Sequence, residues 1–365
     1  YKGYYLLYFA SSAFNAYLAN VARGLNQIKL ITWVSIVSSL TSAVSAGLLI
    51  GLLDWKVDGY FISLIIGGIV AVIMYCVFGK SWRYIEKPKH GRDRQFLKTM
   101  LLYSIPLMPN SIFWWAGNSI NRFFITSILG IGASGMFAAA SKIPNVMNMI
   151  SSTFWQAWSL SAFQEFKKTD TGKFYSNVFS VFRTFCMLAA SGLVLTAPWL
   201  ASLLLQKRFF EAWPIIPVLI LAFLFNVYAG FYGTVFTASM NTKILMTSTA
   251  TAAVVVVTLT WLFIPIMGLQ GAAWAMVASN FVMYVIRVVR ARNIVHIIVN
   301  WPLMMLNILL IIVQVYMMTW QPKHYIVFSV IIFISICTVS IVDFLPAIKH
   351  LYSTITYKSK THNTI

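Results

Sequence analysis

Long apolar runs alternate with short polar connections along this chain, and that rhythm sets the first expectation. A window of about 20 residues, enough for a helix to cross roughly 30 Å of hydrocarbon, selects eleven runs: 3–22, 30–53, 58–79, 99–129, 133–163, 174–204, 214–238, 244–265, 268–289, 301–320 and 324–343. Inside lipid, backbone N–H and C=O groups find partners only within a helix or a closed barrel, and these runs lack a barrel's alternation. The pattern predicts an all-α integral membrane protein.

Residues 103–145 depart from ordinary spanning sequence. They read as two long apolar helices joined by a tight turn at 130–133, each broken by proline: Pro106 and Pro109 in the first, Pro144 in the second. Each holds one basic residue well inside its apolar run, Arg122 and Lys142. A charge at that depth costs roughly 2.5–3.5 kcal/mol on insertion scales, so it ordinarily faces a bundle interior or a wet cavity. Helical spacing puts Ser111, Trp115, Asn118 and Arg122 on one side of the first helix, and Lys142, Asn145, Asn148, Ser152 and Gln156 on one side of the second. With 1.5 Å of rise per residue, the two charges sit roughly 10 and 15 Å below the turn, level enough to serve one site. The acidic residues fall in loops or at span edges, Asp343 among them, so the wall is cationic and suits phosphate or diphosphate, with Arg offering a fork of donors and Lys a point charge. The plainer alternative is that both side chains snorkel or bond carbonyls freed by the prolines. Arg183, nine residues into its span, is either an interfacial anchor or part of a cavity mouth. Trp115 and its neighbour Trp114 could stack on sugar rings; Trp155 and Trp158 read more simply as interfacial belt residues.

Composition agrees with the pattern. Hydrophobic residues make up 59% and charged ones 10%, against roughly 25% charged in soluble domains. The net charge of +19 raises nucleic acid as a partner, but that needs basic residues gathered on one solvated face, and here they sit in short loops. Nineteen of the basic residues, Arg287, Arg290 and Arg292 included, fall in one set of alternate loops and five in the other, which by the positive-inside rule puts the C-terminus in the cytoplasm. Cys76, Cys186 and Cys337 lie singly in apolar runs and the five histidines are scattered, so no metal or cofactor is expected.

A faint internal repeat suggests the organisation. YLANVARGLNQIKLI (17–31) and VFTASMNTKILM (235–246) both end one span and enter the next, setting Asn26 and Lys29 against Asn241 and Lys243, while Asp58-Gly59 corresponds to Gln270-Gly271. The offset, 212–215 residues, equals six spans. Residues 1–79 then read as the second half of a first six-helix lobe, 80–98 as a basic cytoplasmic linker, 99–290 as a second six-helix lobe, 291–343 as a connector and two further helices, and 344–365 as a polar cytoplasmic tail. On that count eleven spans of an expected fourteen are present, and the chain, which opens at Tyr1 within an apolar run, is expected to be a fragment missing three helices. Two such halves around a central path are a known transporter plan.

Three passages carry a resemblance to a family. YSIPLMPNSIFWWAGNSINRFFI with SGMFAAASKIPNVMNMISSTFWQAWSLSAFQEF, RFFEAWPIIPVL (208–219) and ARGLNQIKL (22–30) resemble the polysaccharide repeat-unit flippases of bacteria, in the exporter superfamily that also holds multidrug and lipid-linked oligosaccharide transporters. The resemblance implies two six-helix lobes about a cavity plus two extra helices, and a function in flipping undecaprenyl-diphosphate-linked oligosaccharides across the cytoplasmic (inner) membrane for O-antigen, capsule or exopolysaccharide synthesis. It matches Arg122 and Lys142 to the family's basic positions, with Ser111, Trp115, Asn118, Asn121, Asn145, Asn148, Gln156 and Arg183 as candidate cavity lining. Many members carry Asp where this chain has Asn121, so proton or sodium coupling at that position is open. The implied partners are the lipid-linked glycan, membrane lipids and a polysaccharide polymerase machinery. Two rivals remain: a multidrug or cation antiporter of the same fold, which would want carboxylates inside the spans, and a membrane-bound glycosyltransferase or polymerase, which would be an enzyme with a sizeable external loop.

Overall fold

The computed structural model describes residues 1–80, 92–166, 170–205 and 207–362, apart from the side chains at 92, 93, 118, 207, 208 and 344–362. Every regular element among them is helical. Residues 81–91 of the expected linker, together with Lys167, Lys168 and the last three residues of the tail, lie outside the described part. The chain divides into two compact units, Tyr1–Gln95 and Phe96–Ile365.

The first unit holds α1 (Lys2–Gly24), α2 (Ile28–Ala46, continued by a π-helical stretch Gly47–Leu52) and α3 (Lys56–Gly79). α3 packs on both its predecessors. It does so through Gly59, Ser63, Gly67, Ala71, Tyr75 and Gly79, a buried row at every fourth position. Without a hydrophobic drive between helices in lipid, such small residues stabilise by letting backbones approach. A Cβ at Gly67 would stand 2.9 Å from the Ser38 carbonyl oxygen of α2.

The second unit begins within α4 (Arg92–Ser104), which is followed by α5 (Leu107–Leu129), the two parted at Pro106, then by α6 (Ile131–Ala140) and α7 (Asn145–Glu165), parted at Ser141 to Pro144. Each arm of the sequence hairpin is thus a broken span. The turn between the arms is the single residue Gly130, at φ 88°, a conformation open to glycine at little cost. α8 (Thr171–Leu204) follows, then a 3₁₀ segment (Lys207–Ile215), α9 (Ile216–Ala238), α10 (Lys243–Met267), α11 (Leu269–Ala291), α12 (Trp301–Trp320) and α13 (Tyr325–His362). The polar tail expected from residue 344 is helical as far as His362, continuing α13.

Among the described residues, eight helices are long and apolar enough to cross a membrane. The other three expected spans correspond to α1 and the two broken pairs, whose polar positions lower their hydropathy. The chain is a multi-pass, all-helical membrane protein.

α9 forms the centre of the second unit, with α7, α8, α11 and α12 packed around it. Much of that centre is aromatic: Phe154 stacks on Phe182 at 4.0 Å, and Trp158 on Phe231 at 5.1 Å. Trp158, expected in an interfacial belt, is buried there instead. Its ring is satisfied because the indole Nε1–H donates to Thr234 Oγ1 at 2.9 Å, the polar handle that lets a Trp enter a core.

The turn from α9 to α10 repeats the turn from α1 to α2. In one, the Asn26 N–H donates to Arg23 O and the Gln27 N–H to Ala22 O; in the other, Met240 N–H donates to Thr237 O and Asn241 N–H to Phe236 O. Asn26 and Met240 both adopt positive φ, 57° and 61°. This is the paired-bond helix ending in which the residue past the helix turns left-handed. The equivalent residues are 214 positions apart, so Asn26 matches Met240 and Gln27 matches Asn241, one place from the sequence alignment. α11 packs on α9 and α10 as α3 packs on α1 and α2.

Candidate functional site

Helical geometry carries the stripe on α5 as far as exposure. Ser111, Trp115 and Arg122 are exposed, and the side chain of Asn118 lies outside the described residues. The neighbouring face of α5 does the packing: Gly117 lies against Val256 and Ala253 of α10, and Ile125 is fully buried. Asn121 belongs to that packing face. It is 2% exposed and its Oδ1 accepts from Thr260 Oγ1 of α10 at 3.3 Å. One residue along a helix turns a side chain by about 100°, and that separates buried Asn121 from exposed Arg122; Asn121 is part of the α5–α10 interface and not of the cavity lining expected for it.

Lys142 sits in the break between α6 and α7, with its side chain exposed. The break follows from Pro144, which has no N–H to donate and whose ring crowds the carbonyl four residues back. Asn145, Ser152 and Gln156 are exposed on the same stripe; Asn148 is half-buried and donates from Nδ2 to Asn145 Oδ1 at 3.1 Å. Among the described residues no carboxylate forms an ion pair with Arg122 or Lys142. The ion pair that is described lies elsewhere: Arg183 binds Asp343 through Nη2 and Oδ2, both side chains 6% exposed. Arg183 is therefore tied to α13 in the wall of a separate cavity of about 420 Å³, shared with Lys173, Asn177 and Asn300. It is neither a free anchor at an interface nor on the stripes of Arg122 and Lys142.

Two features escaped the sequence reading. Arg287, counted with the loop residues, is buried inside α11; it donates from Nε to Ser248 Oγ at 3.0 Å, from Nη1 to Ala229 O at 2.9 Å and from Nη2 to Thr249 Oγ1 at 3.0 Å. All three partners are neutral, so this guanidinium binds α9 and α10 to α11 without a counter-ion. The second is a polar pocket of about 70 Å³ where Asn148 meets Asn226, Thr249, Ser279 and Asn280, with Trp114 and Phe113 at its side. Asn226 donates to Asn280 Oδ1 at 3.4 Å, and Asn280 donates to Ala222 O at 3.0 Å. Each Asn stands alone in an apolar run, FLFNVYA and VASNFVM, and that isolation is the signal that could have found them. The repeat places a cavity of about 510 Å³ in the first unit at corresponding positions: Ser12, Ser38, Ser39 and Ser42 line it, 214 residues before Asn226, Ala252, Ala253 and Val256.

Residues 3–159, including Arg122 and Lys142, match the family model described as polysaccharide biosynthesis protein. The fold aligns with a Vibrio cholerae MATE transporter, VcmN, at TM-score 0.69 and 15% identity over 80% of this chain and 68% of that one. It aligns equally broadly, 80% and 68%, with a MOP superfamily transporter from Pyrococcus furiosus whose binding pocket is described as reversed in polarity, at TM-score 0.66 and 14% identity. The Lipid II flippase MurJ superposes more loosely, at TM-score 0.42 and 13% identity. No curated protein matches the chain by sequence. The polysaccharide biosynthesis match over residues 3–159 and the MATE-like fold agree with the resemblance read from the sequence.

Proposed function

We propose that the chain flips undecaprenyl-diphosphate-linked oligosaccharide repeat units across a bacterial cytoplasmic membrane by alternating access, as a step in making cell-surface polysaccharide. The observation that carries the reading is the pair Arg122 and Lys142: two exposed cations at membrane depth on consecutive broken spans, with no carboxylate paired to either among the described residues. Leaving such charges uncompensated costs several kcal/mol, and a diphosphate entering between them offsets that cost while losing part of its own hydration. Arg122 would grip it with parallel N–H donors and Lys142 would act as a point charge. The stripe of Trp115, Asn145, Asn148 and Gln156 offers a ring face and amides to the sugars, and the isoprenoid tail stays in lipid. The chain's own residues make and break no bond. An antiporter of the same fold would hold its cation or proton on an intramembrane carboxylate, and the buried carboxylate described here, Asp343, is already neutralised by Arg183.

The test is transport of a fluorescent undecaprenyl-diphosphate oligosaccharide in proteoliposomes. Arg122→Ala with Lys142→Ala should slow it at least tenfold, whereas Arg122→Lys with Lys142→Arg should keep most of the rate. An unchanged rate in the double alanine variant overturns the proposal.

A further inference from the structure

α11 and α12 both pack on α9 and touch each other where the Tyr284 hydroxyl of α11 donates to the Met304 sulfur of α12 at 3.7 Å. Beside that contact their faces part over a groove of about 890 Å³, walled by Phe225 of α9, Met267 of α10, Trp274 and Phe281 of α11, and Met305 and Ile312 of α12. Along α11 the groove lining runs from Trp274 to Arg292 just beyond the helix end, about 27 Å at 1.5 Å per residue, nearly the whole depth of a hydrocarbon core of about 30 Å. Its lining is apolar but for one charge. Arg292 closes one end, with its guanidinium carbon 5.2 Å from the centre of the Trp301 ring, and no carboxylate lines the groove.

That arrangement has two parts with different chemistry. A concave apolar channel between packed helices holds alkyl chains better than a convex helix surface, because each methylene meets protein on several sides. A guanidinium stacked on an indole is pre-positioned, so it loses less freedom when it binds a phosphate with paired donors. We infer that the groove is a binding site for one anionic glycerophospholipid, its acyl chains along α11 and α12 and its phosphate on Arg292. The site is distinct from the Arg122 and Lys142 stripes and does not depend on what the protein transports.

The experiment is native mass spectrometry of the full chain, delipidated in detergent and titrated with phosphatidylglycerol or phosphatidylcholine. The unaltered chain should take up one phosphatidylglycerol with at least fivefold preference over phosphatidylcholine. Arg292→Gln should remove the preference, and Ala278→Trp, which fills the groove from its α11 wall, should abolish retention of either lipid. Monodisperse elution confirms that each variant is folded; if Ala278→Trp is not, Ala278→Phe takes its place. Equal binding of both lipids, an anionic preference unchanged by Arg292→Gln, or retention unchanged by filling the groove would each overturn the inference. So would displacement of phosphatidylglycerol by undecaprenyl phosphate at equal concentration, which would make the groove a seat for the isoprenoid substrate.

Discussion

Gly271 offers the sharpest test of how the second unit is packed. It lies in the first turn of α11, directly after Gly268 reverses the chain from α10, and it is buried. A Cβ built there would stand 2.5 Å from the Phe263 carbonyl carbon, with the oxygen nearer still, and 3.0 Å from the Ile264 nitrogen. All three atoms are backbone of α10, so no side-chain rotation relieves the overlap and the two helices must separate. An exposed Gly→Ala change in a helix gains about 1 kcal/mol from propensity. Overpacking a fixed wall costs about 1–3 kcal/mol or more, and here the obstruction is at the rigid end of that range. The net loss should be about 2 kcal/mol, a fall of roughly 4–8 °C in melting temperature for a unit of this size. Gly192→Ala is the matched control, since the nearest atom to its new methyl is the Phe333 Cε2 at 3.8 Å, and it should melt at or above the parent. Thermal melts of detergent-purified protein followed by tryptophan fluorescence read both. If Gly271→Ala melts with the parent, the close approach of α10 and α11 is not as described.

Met240→Gly should raise stability by about 1 kcal/mol, because it removes a side chain from the left-handed turn at φ 61°; a lower melting temperature would show that Met240 packs in a way that outweighs the backbone strain. Asp343→Asn should cost about 3–5 kcal/mol by leaving Arg183 buried without its counter-charge. Adding Arg183→Met to that variant should recover more than half the loss in the same melts, and no recovery would mean the charge pair is not the cause.

The spans were legible because a membrane imposes one strong rule, and the prolines at 106 and 144 marked where two of them break. The stripes on α5 and α7 were legible because helical spacing needs no knowledge of neighbours. Asn121 entered the candidate lining through the family resemblance and not through spacing, and only α10, with Thr260, shows that its face of α5 is packed. Arg183 and Asp343 are 160 positions apart, a separation no local pattern bridges. Arg287 was misplaced for a related reason. A basic residue one turn from a helix end looks the same in sequence whether it points to water or, as here, back to carbonyl and hydroxyl oxygens on two other helices.

The two halves of the broken span that carries Lys142 answer to different neighbours. α6 is gripped by α5 and by the 3₁₀ segment between α8 and α9, while α7 is gripped by α8 and α9. The joint between them, Ser141 to Pro144, lacks a full set of helical hydrogen bonds, so a change of angle there stretches little that either grip depends on. Lys142 occupies that joint. A few degrees of bending would swing its ammonium through an arc while both half-helices keep their contacts, making the cation the pointer of a lever whose two arms are anchored in separate parts of the unit.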